Sequence, residues 1–494
     1  MTPHNDNAEP AMSLRRRFLG AAFWLAGSDL LLTIFGMGIM LILARLLQPE
    51  DYGTVAMATV FIGLVNQTNA VGLGHALVRM EKVTPEDERL TFTYAVISSF
   101  VLYGVVFLLA PLAGAFYHEP RVVPLLRVMC FSVVIRAFYI VPYSLLRREL
   151  DMRSQSKVQI LGTLADAIST VALAMSGFGI WALALGPLMS HVVQVAGMSY
   201  VRPWHIGLRF RGEGSRSLLR FVGGVNASIL LWYWYVSVDN LIIGRMLGGT
   251  ALGIFTMAMN LSKLSWNKLW LAVNPLLLPL FAEARTTPGK MGRVFLRVTH
   301  WVALAIFPAS LGLMTAAPEA VTVLLPPKWA DTVVPLQWLC LLGGSRALAA
   351  LMSPVLLAVG KVRLEVMFSL ACGLFLPAAF LLALPLGVAA VAAAWALVFP
   401  ALAATFLLRP VLKALDIGVS DYLRALRTPV AASFLMVVLV FGASRLLHLP
   451  ATWSLCFKIV FGAACYLLLI TWWQGNPYHE FRRLLADTRA GARA

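Results

Sequence analysis

Residues 42–58, ILARLLQPEDYGTVAMA, recur 200 positions later as residues 242–258, IIGRMLGGTALGIFTMA, so that Arg45 matches Arg245, Gly53 matches Gly253 and Met57-Ala58 matches Met257-Ala258. A Thr-Pro pair follows each copy, at Thr84-Pro85 and Thr287-Pro288. Self-similarity at one long offset marks a duplicated block. Each copy joins the end of one long apolar run to the start of the next, so the duplicated block is a set of membrane-spanning helices.

The composition agrees. Of 494 residues, 60% are hydrophobic and 13% are charged, about half the charged fraction usual for soluble chains. A span needs about 20 mostly apolar residues. Apolar runs separated by charged or Pro/Gly gaps give fourteen candidate spans, the first at 18–43 and the last at 453–473. The narrowest divisions are the two tight hairpins at 177–178 and 385–386. Long continuous runs exclude a β-barrel, whose strands alternate over short segments.

Charge tests the partition independently. The net charge is +17, from 40 Lys and Arg against 23 Asp and Glu. With the N-terminus inside, 29 of the 40 cations fall in the inner segments and five in the outer loops, the asymmetry of a positive-inside topology. Both ends are therefore expected in the cytoplasm, and the basic excess needs no nucleic acid to explain it. Arg15, Arg16 and Arg17 precede a run too long for a cleaved leader, so that run reads as a retained first span. The five cysteines, Cys130, Cys340, Cys372, Cys456 and Cys465, lie in apolar segments without metal-ligand spacing. Spans one and seven run in the same direction. The expected architecture is thus all-α: two parallel six-helix lobes at 1–201 and 202–413, with two further helices and a tail at 414–494.

At this point the residues resemble a known family. Leu43-Ala-Arg45-Leu-Leu-Gln-Pro49-Glu-Asp-Tyr-Gly53, Val71-Gly72-Leu-Gly74, Pro142-Tyr-Ser-Leu-Leu-Arg147-Arg148, Val238-Asp239-Asn240 with Gly244-Arg245, and Asn274-Pro275 with Pro279 are similar to bacterial polysaccharide-transport flippases. These form the Wzx and WzxC-like branch of the multidrug/oligosaccharidyl-lipid/polysaccharide exporter superfamily. The resemblance implies a multi-pass inner-membrane transporter that carries undecaprenyl-diphosphate-linked oligosaccharide repeat units to the periplasmic leaflet by alternating access, for exopolysaccharide, capsule or O-antigen synthesis. It implies no cofactor beyond a coupling H+ or Na+, and it implies polymerase or export machinery as partners.

Mid-span charges are costly unless they face a cavity or a partner. Arg136, Lys263 and Arg346 are the first candidates for a diphosphate site, with structural ion pairing as the alternative; Arg127, Lys268 and Lys458 lie nearer span ends and suit snorkelling. In span eight, Asn260, Lys263, Asn267, Trp270 and Asn274 share one helical face, and in span seven Trp232, Tyr235 and Asp239 share another. Both stripes suit a sugar path, and both also suit helix packing. Asp29, Asp166 and Asp239 could balance the cations or bind the coupling ion. No catalytic or metal site is expected: DxD, HExxH and P-loop motifs are missing. The rivals are a peptidoglycan-precursor flippase, a multidrug or cation antiporter, and a membrane glycosyltransferase or polymerase; only the last needs catalytic carboxylates such as Glu319 or Asp331 in the loop expected at 317–331. Single replacement of Arg136, Lys263 or Arg346 by Ala is expected to impair export without affecting membrane insertion. Full polysaccharide export by all three variants would sink the cationic-cavity reading.

Overall fold

The computed structural model describes residues 35–80, 83–209, 215–266, 289–447 and 449–474, with isolated positions at 32, 33, 277, 280, 281 and 284. Every regular element among the described residues is helical. Lipid offers no hydrogen-bond partner to a backbone, so a helix that satisfies its own N–H and C=O groups is the form these apolar runs must take. The elements are α1 (Phe35–Leu46), α2 (Pro49–Arg79), α3 (Pro85–Tyr117), α4 (Val122–Ala137), α5 (Ile140–Arg148), α6 (Met152–Met175), α7 (Ile180–Val201) and α8 (Ser215–Ser262). They continue as α9 (Lys290–Leu324), α10 (Val333–Val359), α11 (Val362–Ala383), α12 (Val388–Ala403), α13 (Arg409–Leu415), α14 (Val419–Leu447) and α15 (Ala451–Gln474). The chain divides into two compact units, residues 1–253 and 254–494.

Both tight hairpins form where the sequence placed them. Between α6 and α7, Gly177 and Gly179 take φ of 83° and 54°, a left-handed conformation open to glycine without a side-chain penalty. The second hairpin turns through Leu384–Leu386 and Gly387. Thr84, singled out by the repeat, caps α3: its hydroxyl accepts from Asp87 N while Asp87 accepts from Thr84 N, a reciprocal cap that satisfies two otherwise orphaned donors. Pro49 opens α2, where its missing N–H is harmless.

In the first unit, α6 and α7 pack together, α4 packs on α2, α3 and α7, and α5 packs on α2. The segment after α7 is tied back to the start of α3: Glu88 accepts from His205 N at 2.9 Å and Glu86 pairs with Arg209 at 2.7 Å, while Trp204 packs edge-on to Phe92. In the second unit α9 packs on α10, α14 and α15, and α10 packs on α12. Gly343 and Gly344 let α10 approach closely: a side chain at either would press on Ser310 and Trp266 or on the Phe307 ring, the small-residue packing typical of membrane helices.

Sequence periodicity places spans seven and eight as separate helices, and the structure separates them at Gly248, whose φ of 84° and ψ of −176° are not helical and divide α8 into two limbs. The limb after this break crosses the start of α2 so closely that backbone meets backbone. A Cβ on Gly53 would overlap the Gly249 carbonyl oxygen, and one on Gly253 would overlap the Pro49 carbonyl oxygen. The two glycines matched by the repeat thus face one another reciprocally. Gly53→Ala is expected to lower stability by about 1–3 kcal/mol, the range for overpacking, whereas Gly104→Ala, with nothing within 4 Å of its Cβ, is expected to be neutral or stabilising; thermal unfolding of the two purified variants checks the contrast.

Candidate functional site

The site begins with a proline. Pro142 has no N–H to give the Phe138 carbonyl four residues earlier, and its ring crowds that carbonyl, so the helix cannot continue through this point. Phe138 N and Tyr139 N turn instead to the carbonyls of Ile135 and Arg136, and α4 and α5 meet at 49°. The elbow opens a cavity of about 250 Å³ inside the first unit.

Six helices line it. Asn66 comes from α2, Ser99 from α3, Arg136 from α4, Tyr143, Ser144 and Arg147 from α5, Gln159 from α6 and Gln194 from α7, with Tyr139 at the elbow. Arg136 lies in the last turn of α4, where a cation complements the partial negative charge of a helix C-terminus. Its Nη1 donates to Asn66 Oδ1 at 2.9 Å and its Nε donates to Tyr139 Oη at 3.1 Å. Both acceptors are neutral. The Arg147 guanidinium stands 5.8 Å from the Tyr143 ring, and the two tyrosine rings meet edge to face. Gln194 donates to Ser190 Oγ, and the buried His191 Nδ1 and Gln155 Oε1 nearby have no hydrogen-bond partner among the described residues.

No carboxylate lines this cavity among the described residues. The half-buried Arg136 guanidinium therefore faces this space among only neutral polar groups, and the exposed Arg147 lines it from the end of α5. Each cation inside a span costs about 2.5–3.5 kcal/mol on insertion scales, a cost that an anion offsets through charge-assisted, two-pronged hydrogen bonds. The flanking amides and hydroxyls both donate and accept, as polyhydroxylated ligands require, and the tyrosines offer apolar ring faces. The arrangement can hold an anion next to a sugar-like group.

The other sequence candidates lie elsewhere. Lys263 begins a single tight turn, Lys263–Ser265, at the end of α8. The Arg346 guanidinium, on α10, stacks over Trp395 at 4.5 Å and Phe399 at 5.7 Å, a cation–π arrangement. Both belong to the second unit, Arg136 to the first. Tyr235 and Asp239 are buried, Asp239 only 2% exposed, whereas Trp232 is 45% exposed; Asn260 is exposed. Asp166 accepts from the Thr170 hydroxyl at 2.8 Å beside Gly186. Asp29, Asn267, Trp270 and Asn274 lie outside the described residues. Tyr139, Tyr143 and Gln194 were missed by the sequence reading, although Pro142 inside an apolar run was the signal for the elbow they line.

One loop assignment needs correction. Residues 317–324 belong to α9 rather than to a loop, and Glu319 pairs there with Lys458 of α15 at 2.6 Å. Lys458 also donates to the Thr315 carbonyl and Ser454 donates to Glu319. Both partners are largely buried, with side chains 7% and 18% exposed. Arg127 lies 4.2 Å from the Phe107 ring.

A family model described as "Polysaccharide biosynthesis protein" matches residues 42–334. The chain is 25% identical to the lipopolysaccharide biosynthesis protein WzxC of Escherichia coli K12, over 74% of this chain and 75% of that protein. It is 25% identical to the teichuronic acid biosynthesis protein TuaB of Bacillus subtilis, over 93% and 96%. Among solved structures, the lipid II flippase MurJ in an inward closed conformation superposes with a TM-score of 0.72 at 13% identity, covering 93% of this chain and 98% of that one; at that identity the likeness is one of fold.

Removing one partner from a buried pair strands the other's charge. Lys458→Met alone is expected to cost about 3 kcal/mol, and Lys458→Met with Glu319→Gln to recover most of it, read as thermal unfolding of the purified variants.

Proposed function

The chain belongs to the polysaccharide biosynthesis protein family, and from that premise we propose that it is a flippase for lipid-linked oligosaccharides, carrying undecaprenyl-diphosphate repeat units from the cytoplasmic to the periplasmic leaflet. It is a transporter, not an enzyme. The observation that carries the substrate assignment is the cavity lined by Arg136 and Arg147 without a carboxylate among the described residues. A diphosphate is the charged part of such a lipid and the part that the bilayer core rejects most strongly. In the cavity, guanidinium forks replace its water, and Gln159, Gln194 and the tyrosines meet the sugar next to it. At about 250 Å³ the space falls below that of drug-sized pockets, about 300–1,000 Å³, which suits a head group and the ring beside it rather than a whole repeat unit.

The positive-inside charge pattern supports an orientation with both chain ends in the cytoplasm and with Arg147, Arg148, Arg153 and Lys157 at the face where the substrate is made. That basic edge attracts anionic head groups. Arg346, with its rings, and Lys263 are candidate phosphate contacts within the second unit. Asp166, inside α6 and bonded to Thr170, is the residue for a coupling proton, and the product passes to polymerising or exporting machinery.

In a strain lacking the protein but retaining its glycosyltransferases, one complete polyprenyl-diphosphate repeat unit should accumulate, shielded from an impermeant periplasmic probe and identified by mass spectrometry. Arg136→Gln should reduce export at least about tenfold, the scale of one charged hydrogen-bonded contact, with normal protein levels. A repeat unit that reaches the periplasmic leaflet at its usual rate in the deletion strain refutes the flippase reading.

A further inference from the structure

Arg136 does more than line the cavity, because it bridges the elbow. Its backbone belongs to the last turn of α4, while its Nε proton is donated to Tyr139, the residue that precedes α5. Its Nη1 is donated to Asn66 on α2. Two of its five N–H donors are engaged among the described residues, both on neutral acceptors. The backbone at the elbow has lost regular helical bonding to Pro142, so this side-chain bond is one of few polar links across it.

We propose that the Arg136–Tyr139 bond is a latch that substrate anion opens: a phosphate group takes the Nε–Nη2 edge of Arg136, Tyr139 is released, and the α4–α5 elbow loosens or changes its bend. This rests on the cavity being the anion site. The geometry supplies the switch. A guanidinium grips a phosphate in two-pronged fashion either through Nη1 and Nη2 or through Nε and Nη2. Nη1 carries two hydrogens and keeps Asn66 while bonding elsewhere, but Nε carries one and cannot serve Tyr139 and a phosphate together. Tyr139 offers one bond to a neutral acceptor, whereas a phosphate brings its own negative charge and takes two parallel bonds from the fork, so the anion wins the exchange. Asn66 holds the guanidinium in place during it, and Tyr139 acts as a positioning residue that reports whether the site is loaded. The bend at the elbow then becomes a property of the ligand state, and α5, which carries Tyr143 and Arg147 at the same cavity, follows.

Full-length protein in lipid nanodiscs, with inorganic pyrophosphate as the probe, tests this by two readouts. Calorimetry measures binding, and hydrogen–deuterium exchange measures the amides of residues 138–141. In wild type, saturating pyrophosphate should raise their exchange about threefold to tenfold, the factor carried by one ordinary hydrogen bond. In Tyr139→Phe these amides should exchange fast before ligand is added, and pyrophosphate should add nothing. Binding to wild type without a change at 138–141 overturns the latch and leaves the anion site standing. The same ligand-induced rise in Tyr139→Phe also overturns it. No binding of pyrophosphate to wild type removes the anion site and the latch together.

Discussion

Lipid provides no partner for a backbone amide or carbonyl, and the rest of the molecule follows from how that demand is met. Along most of the chain the helix meets it alone. Where the helix stops within an apolar stretch, something local has removed the option: Pro142 withholds a donor, and Gly248 takes a conformation outside the helix. These are the places where polar side chains gather or backbones touch. The Pro142 elbow is surrounded by arginine, asparagine, glutamine and tyrosine, and the Gly248 break lets α8 reach the backbone of α2.

Charge inside the spans follows a similar economy, in two opposite solutions. Lys458 is neutralised by Glu319 and donates as well to the Thr315 carbonyl, which makes it a brace between α9 and α15. Arg136 is given only neutral acceptors and faces the cavity. The first arrangement is charge-neutral without a ligand. The second is completed by an anion, and this contrast separates a structural cation from a substrate-binding one better than position along the span does.

Much of the fold was legible because its determinants are local. Apolar run length gave the spans among the described residues, and the narrow gaps at 177–178 and 385–386 gave the two tight hairpins. The repeat pointed to Gly53 and Gly253 as equivalent positions, without revealing that they touch. The site was legible only in part. Arg136 stood out because an arginine in an apolar run is conspicuous whatever surrounds it, but Tyr139, Gln194 and Asn66 are assembled from three parts of the chain, and helical periodicity relates residues only within one helix. The same limit placed Glu319 in a loop: its partner Lys458 lies 139 positions away, and the proline at 318 made continuation of α9 hard to foresee.

The meeting of Gly53 with Gly253 also bears on history. Reciprocal contact between equivalent residues is the geometry of a self-complementary homodimer, in which one surface meets its own copy. A half-length ancestor that paired with itself would have needed a single glycine to make this crossing, used twice. In this single chain the two glycines are separate positions, yet each is confined by the backbone beside the other, so a side chain gained at either one presses on the same crossing.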